Sequence, residues 1–577
     1  MNQIHFHLFW RRRIFVALYL GMVVLTFPFS SRAEIPEAPQ VYSNPNPSVP
    51  NVAILRFSGH GPFSAHVKVE GEGHGWEVDF SEGSGGEREL PILGMWPDSH
   101  YRFSVRVTDQ AGREQRYDGL QFHTPPLPAD FGGFPPIEIT VSEPEKMEPG
   151  VTFLSIRRRH LGRPGWHEPY QMDWFLNWST IVAVDERGRV VWYYISDRRI
   201  SGIERLANGN LFYHTAGYWS FEIDMLGNIV QSWYAGNRPQ GSPDDPAAIP
   251  VPVDTLHHQP HETSRGTFLA MAASAREVPD WYTDEYDVDA PRQTQMVMGD
   301  SIVEFDRSGR IIWEWDAFDH LDLQRIGYNT IDPYWHVRSY PNHMDWTHGN
   351  GVTQDHRDKS VIMSFRNQDA VIKVDYETKK IRWILGTHEG WPEHLQGKLL
   401  KPVGETFQWP WHGHNPRVTS QGTIVMYDNS IHRARPFDGR PQAKPHETLS
   451  RGVEYAIDEK SMTVRQLWAS AEHGVTEDRC NSWAMGDTHR LPLSGNMLVV
   501  DSVCVSERDD LTFDAFQVGP HVADLPYRGR VREYRRSLEG SEVIFELFIA
   551  DKYGRISWET YGALRSPSLY PDKLESK

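Results

Sequence analysis

Residues 181–192 read IVAVDERGRVVW: an apolar run, a polar Asp-Glu-Arg-Gly turn, and a second apolar run closed by a tryptophan. Short β-branched runs joined by a tight Gly-containing turn make an antiparallel hairpin. The pattern returns as FEIDMLGNIVQSW (221–233), IVEFDRSGRIIW (302–313) and VIKVDYETKKIRW (371–383). It is looser in VEYAIDEKSMTVRQLW (453–468) and loosest in VREYRRSLEGSEVIFELF (531–548), where Phe545 and Phe548 stand in for the tryptophan. One copy would say little. Six in series, about 40 to 85 residues apart, fit a repeat whose unit is a four-stranded sheet of ~40 residues or more. The expectation is an all-β protein whose bulk, residues 150–577, is a six-bladed β-propeller. The longer intervals leave room for loops, including a proline-rich stretch at 237–252 and an acidic, aromatic one at 277–300.

Upstream, short alternating strands fill residues 51–125, after a Pro/Ser/Asn-rich stretch at 36–50. Within them LGMWPDSHY (93–101), followed by RFSVRVTD and a Gly turn, resembles the corner-tyrosine region of a fibronectin type III-like sandwich. A small β-sandwich of that kind is expected over 34–128, as a spacer or assembly platform without chemistry. Its end is marked by PPLP at 125–128, and Gly132 and Gly133 mark a linker over 129–149.

Residues 1–33 read as a signal peptide: Arg11, Arg12 and Arg13, an apolar stretch at 14–29, then Ser31-Arg32-Ala33 with small residues at the two cleavage positions. An uncleaved anchor is the alternative, and a 16-residue run is short for a span. Either reading places the rest outside the cytoplasm, periplasmic or secreted, with no stable membrane insertion once the signal is cleaved. Two cysteines, Cys480 and Cys504, then stand in an oxidising compartment and are expected to pair. A formal charge of -18 argues against nucleic acid or an anionic membrane surface as partner. It does not exclude a local positive field around a small anion.

A further element precedes four of the hairpins: GTFLAM (266–271), KSVIMSF (359–365), GTIVMYD (422–428) and GNMLVVD (495–501). The first strand of a blade lines the propeller axis, so these strands are expected there, with the residues leading into them at the channel mouth. Ahead of them stand His258 and His261, His348, His414 and His489; His258 and His414 each lie eight residues before their glycine. A lone histidine is usually a satisfied structural residue. Four blades that present one at a similar phase converge on a shared pocket. DWTHGN (345–350) precedes a strand that ends at Arg366, and WPWHGHNP (409–416) precedes one followed by Arg433. Imidazoles, a carboxamide and a guanidinium suit a tetrahedral oxyanion, with the Arg fork gripping two oxygens and histidine serving as donor, base or nucleophile.

With these motifs the chain resembles the bacterial arylsulfate sulfotransferases that are independent of the nucleotide sulfate donor. DWTHGN…SVIMSFRNQDAVIKVD…IRWILG and HNPRVTSQGTIVMYDN carry the resemblance, which covers 150–577, and a fibronectin-like N-terminal domain is also a feature of that family. It implies that His414 accepts the sulfuryl group, that His348 and Asn350 support it, that Arg366 grips the sulfate and that His258 assists. Gln259 stands where the family tends to have an acid, which leaves His261 as a rival to His258. Thr488 or His489 is a looser match from the fifth of the repeat units. The implied reaction is a ping-pong transfer from an aryl sulfate to an acceptor phenol through a sulfohistidine, with no cofactor and no metal; a homodimer is compatible with it. In keeping with this, no GxxxxGK[ST] loop occurs. Other readings of the repeat and its histidines are a quinoprotein-type oxidoreductase, a metal-dependent hydrolase and a non-catalytic binding propeller.

Overall fold

A computed structural model of the chain describes residues 36–58, 61–83, 86–160, 174, 176–331, 334–471, 479–505, 527–537 and 540–571. The segment read as a signal lies outside them. Among the described residues no helix is long and apolar enough to cross a membrane.

Six sheets follow the sandwich in chain order. The fourth is the plainest: Gly349–Asp355, Ser360–Phe365, Ala370–Asp375 and Ile381–Gly386, each antiparallel to the next. The second, third and fifth add edge strands to the same plan. The first is built from both ends of the repeat region: Ile556–Ser566 pairs with Val151–His160, which leads on to Ser179–Val184 and Val190–Ser196. The first strands of successive sheets touch one another in order, and Ile556–Ser566 touches those of the second and sixth sheets. These are the contacts expected of six blades closed in a ring.

All six hairpins read from the sequence are the third and fourth strands of their sheets. The motif has a physical cause at each position. Asp185 Oδ1 accepts the backbone N–H of Arg187 and Arg189, and Asp224 and Asp306 do the same in the next two turns, the Asx turn that competes with further strand pairing. Gly188, Gly227 and Gly309 then take φ of 71°, 81° and 80°, which other residues adopt only at a cost. The tryptophan staples one sheet to the next. Its indole N–H donates across the gap to the turn of the following hairpin: Trp192 to Met225 O, Trp233 to Arg307 O, Trp313 to Tyr376 O, Trp383 to Glu459 Oε1 and Trp468 to Ser541 Oγ. Trp383 is 1% exposed. Trp383→Ala is therefore expected to cost about 3–5 kcal/mol through the cavity it leaves, and Trp383→Phe about 1 kcal/mol for the lost hydrogen bond, read as a shift in the urea midpoint.

Two expectations are corrected. The strands opened by Gly266, Lys359, Gly422 and Gly495 are second, not first, in their sheets. The short segments ahead of them, which carry or directly follow the histidines, are themselves the innermost strands: His257–Glu262, Gly349–Asp355, His414–Val418 and Asp487–Arg490. Residues 129–149 are not wholly a linker, because Ile137–Ser142 pairs with Gly540–Ile549 as the outer strand of the sixth sheet. The remaining sandwich comprises a three-stranded and a four-stranded sheet. In it the buried Tyr101 hydroxyl accepts the Trp96 N–H at 2.8 Å, as a corner tyrosine does. Trp96 also docks the sandwich onto the first sheet, donating to Asp185 Oδ2 at 3.1 Å beneath the Arg189 guanidinium.

Candidate active site

The innermost strands break their pairing register where the chemistry sits. Bulges fall between His257 and His261, Gly349 and Gly351, and His414 and Arg417. A bulge re-aims the side chains beside it. Left-handed backbone accompanies them: φ is 63° at His258, 47° at His348, 52° at His412 and 50° at Asn415. Such geometry in non-glycine residues is a local cost that surrounding packing must hold in place. Gly351 allows the fourth and fifth inner strands to close up, since a Cβ there would lie 2.8 Å from Asn415 Cα.

Strand residues of four sheets, with residues flanking the strands of the fourth and sixth, line one cavity of about 380 Å³, among them His258, His348, Arg366 and His414. Each of these side chains is buried. His414 Nδ1 faces the His412 carbonyl at 3.2 Å and Asn429 Oδ1 at 2.7 Å. A carbonyl oxygen can only accept, so Nδ1 carries the proton. The Asn429 amide is itself fixed, since its Nδ2 donates to Ser482 O and Met485 O. The Nε2 lone pair is left at the cavity, where it accepts the Met485 N–H at 3.1 Å. His348 Nδ1 meets Asp345 Oδ2 at 2.5 Å, and Trp335 Nε1–H holds the other carboxylate oxygen at 2.8 Å. The ring of His258 lies 5.2 Å from that of His348. Arg366, just after Ser360–Phe365, donates to Asn367 Oδ1 at 3.0 Å and reaches Trp483 O at 3.4 Å. Cys480 and Cys504 form the expected disulfide, closing the segment that carries Trp483 and Met485.

The cavity runs against the sign of the whole chain. Six arginines (157, 159, 198, 199, 338 and 366) line it against two carboxylates, Asp345 and Glu559. Burial would raise the Glu559 carboxyl, but Arg199, Arg159 and Arg157 together hold it at about 2. Burial, with the neighbouring Asp300, pushes Asp345 up to about 7. Burial also holds His258, His348 and His414 well below the usual histidine value; the Arg366 charge adds to this at His348 and His414. At neutral pH the site is thus a set of uncharged imidazoles in a cationic chamber, suited to a small anion.

The other residues singled out from the sequence fall elsewhere. His261 lies past the bulge, with Nδ1 3.6 Å from Glu204, and the cavity wall is formed by His258 instead. Asn350 stands behind the site: its Nδ2 donates to Gly413 O at 3.0 Å and its Oδ1 accepts Ser364 Oγ, which ties the fourth strand set to the turn before His414. Thr488 packs against Gly452, and His489 Nε2 pairs with Asp487 at 2.9 Å. Neither lines the cavity. Sequence reasoning missed Arg157, Tyr334, Arg338, Asp345 and Tyr561 as wall residues. The Arg157-Arg158-Arg159 run was a signal for one of them, because alternation along a strand must turn at least one arginine inward.

A family model described as arylsulfotransferase (ASST) matches residues 138–544 of the 577. The chain belongs to the arylsulfotransferase family. The family's Ig-like domain matches residues 40–120, on the sandwich. The arylsulfate sulfotransferase AssT of Escherichia coli O6:H1 (strain CFT073) is 27% identical over 340 residues, 49% of this chain and 51% of that protein. AssT of Lelliottia amnigena is 27% identical over 312 residues, 47% and 46% respectively. The chain thus spans about half the length of these curated arylsulfotransferases. Among solved structures, the Dos1 propeller covers 68% of this chain and 92% of its own at 9% identity and a TM-score of 0.26, too distant to bear on the site.

Proposed function

We propose that this arylsulfotransferase moves a sulfuryl group from an aryl sulfate ester to an acceptor phenol by way of a sulfohistidine at His414, and does so outside the cytoplasm. The observation that carries the reading is the fixed tautomer of His414, whose Nε2 lone pair lies at the arginine-lined cavity and is capped there by the Met485 N–H. In the first half-reaction Nε2 gives up the Met485 N–H and attacks sulfur; the S–O bond to the phenol breaks and its electron pair leaves with the oxygen. In the second, a phenol oxygen attacks and the S–N pair returns to Nε2. Sulfuryl transfer shares with phosphoryl transfer a loose, in-line transition state whose charge sits on three equatorial oxygens. In this reading Arg366 and the freed Met485 N–H meet that charge. The disulfide and the signal-like N-terminus support the compartment.

His414 and the other two histidines differ in what stands behind them. Asn429 neither gives nor takes a proton, so it keeps the sulfated ring in its Nδ1–H form. His348 is backed by a carboxylate, which makes it a proton carrier for phenols of pKa near ~10. The test is 4-nitrophenyl sulfate with and without phenol. Release of nitrophenol in step with added acceptor, unaffected by chelators, is expected; equal release without acceptor points to a hydrolase.

A pH dependence follows from Asp345. Because its folded value is raised, its ionised form is present above about 7 and lost below it, and with it the acceptor for His348 Nδ1–H. The transfer rate is expected to fall as pH drops through 7. In Asp345→Asn that limb should vanish, leaving a lower, flat rate, since His414 stays neutral over the same range.

A further inference from the structure

Behind His258 stands a second imidazole rather than a carboxylate. His257 Nδ1 lies 2.6 Å from His258 Nδ1, and the two rings are 4.9 Å apart at 74°. On the far side, His257 Nε2 is 3.2 Å from Asp300 Oδ1. Asp300 is fully enclosed: its Oδ2 accepts the Thr347 hydroxyl and the Gly349 N–H. Asp300 stays ionised against the effect of burial, and its Oδ1 faces His257 Nε2. With the His257 proton on Nε2, toward that carboxylate, Nδ1 offers a lone pair and the short contact is His258 Nδ1–H donating to it. His258 then keeps its Nε2 lone pair.

We propose that Asp300–His257–His258 is a proton relay for the phenol oxygen, with His257 and Asp300 as positioning residues that act through His258. The proposal rests on the sulfohistidine reading above. As the acceptor oxygen bonds to sulfur and the S–N pair returns to His414, the phenol proton passes to His258 Nε2. His258 in turn releases its Nδ1 proton to His257 Nδ1, and the imidazolium comes to rest beside Asp300. The next leaving phenol recovers a proton by the reverse path, so the cycle balances.

The second ring solves an electrostatic problem. His258 is surrounded by His348, His414, Tyr561 and the Arg338 guanidinium, and among the described residues no carboxylate is paired with it. A positive charge held there would be desolvated among cations. One ring farther back it meets a carboxylate at 3.2 Å, with His214 and His348 as its further histidine neighbours. The relay moves the charge within the cavity wall from His258 to a ring that faces a carboxylate.

The test separates the two half-reactions by rapid quench. The enzyme is loaded with 4-nitrophenyl sulfate, whose leaving group is acidic enough to depart unaided, and then discharged to a series of phenols of increasing pKa. In His257→Asn, discharge to unsubstituted phenol is expected to slow about 100-fold, the deficit shrinking towards a few-fold for nitrophenols, while loading suffers far less. Asp300→Asn should show the same trend more weakly, and Asp300→Glu should recover most of the rate. A loss independent of acceptor pKa, or no loss, overturns the relay. Should His257→Asn fail to load, Asp300→Asn, which leaves both rings in place, decides by the same dependence. Failure of the wild-type protein to load at His414 would instead overturn the sulfohistidine reading.

Discussion

His414→Ala removes acceptor-dependent release of 4-nitrophenol by about 10⁴-fold or more, the scale on which a lost nucleophile is felt. The size of the effect follows from what cannot replace it. His258 and His348 also present imidazole nitrogens to the cavity, but each is backed by a proton-transfer partner, His257 or Asp345. Only His414 is held by a neutral carboxamide, Asn429, itself anchored on both sides by carbonyls. A sulfated His414 would keep Nδ1–H and remain a good leaving group. The variant should keep its urea midpoint within the range of an ordinary core truncation, which separates lost chemistry from lost fold. Retention of wild-type rate would remove His414 from the reaction.

Arg366→Ala is expected to lower kcat by about 10²–10³-fold, the measured scale for losing one preorganised donor to a developing oxyanion. Arg366→Lys should recover little, because an ammonium cannot reproduce the planar fork. The substitution has a second signature. The Arg366 charge partly offsets the burial that raises the Asp345 carboxyl. Without it that carboxyl rises further, and its ionised form appears only at higher pH. The acid limb of the rate profile should therefore move up in Arg366→Ala, an effect that simple loss of binding would not produce. Steady-state kinetics across pH 5 to 9 on both variants reads out the loss and the shift together.

The repeat was legible because each of its positions is set locally: the Asp by its turn amides, the Gly by its φ, the Trp by the neighbouring hairpin. Six copies of a local rule reveal a fold even when the sixth is worn to Phe545. The innermost strands were not legible as strands. They are short, rich in His, Gly and Asn, and bulged, so neither β-propensity nor strict alternation marks them, and the more apolar second strands were taken for the axis. The same bulge decided between His258 and His261, which no residue count could do. His348, Arg366 and His414 were found because sequence motifs surround them. Asp345 was quoted in a motif without a role, and Asp300, Arg338 and Tyr561 enter the site from distant segments that only the tertiary structure juxtaposes. Asn350 illustrates the converse: a residue in the motif whose carboxamide is spent on the turn ahead of His414 rather than on the cavity.

In the proposed mechanism a buried imidazole, fixed with its Nε2 lone pair at the arginine-lined cavity, becomes the covalent carrier of the sulfuryl group. The most direct measurement is to mix the protein with excess aryl sulfate and no acceptor, quench, digest under conditions that preserve N–S bonds, and map the added sulfuryl group by peptide mass spectrometry. One group per chain is expected, located on His414 and discharged when a phenol is added before the quench. A sulfuryl group on another residue, or turnover with no trapped group at any time point, would contradict the mechanism.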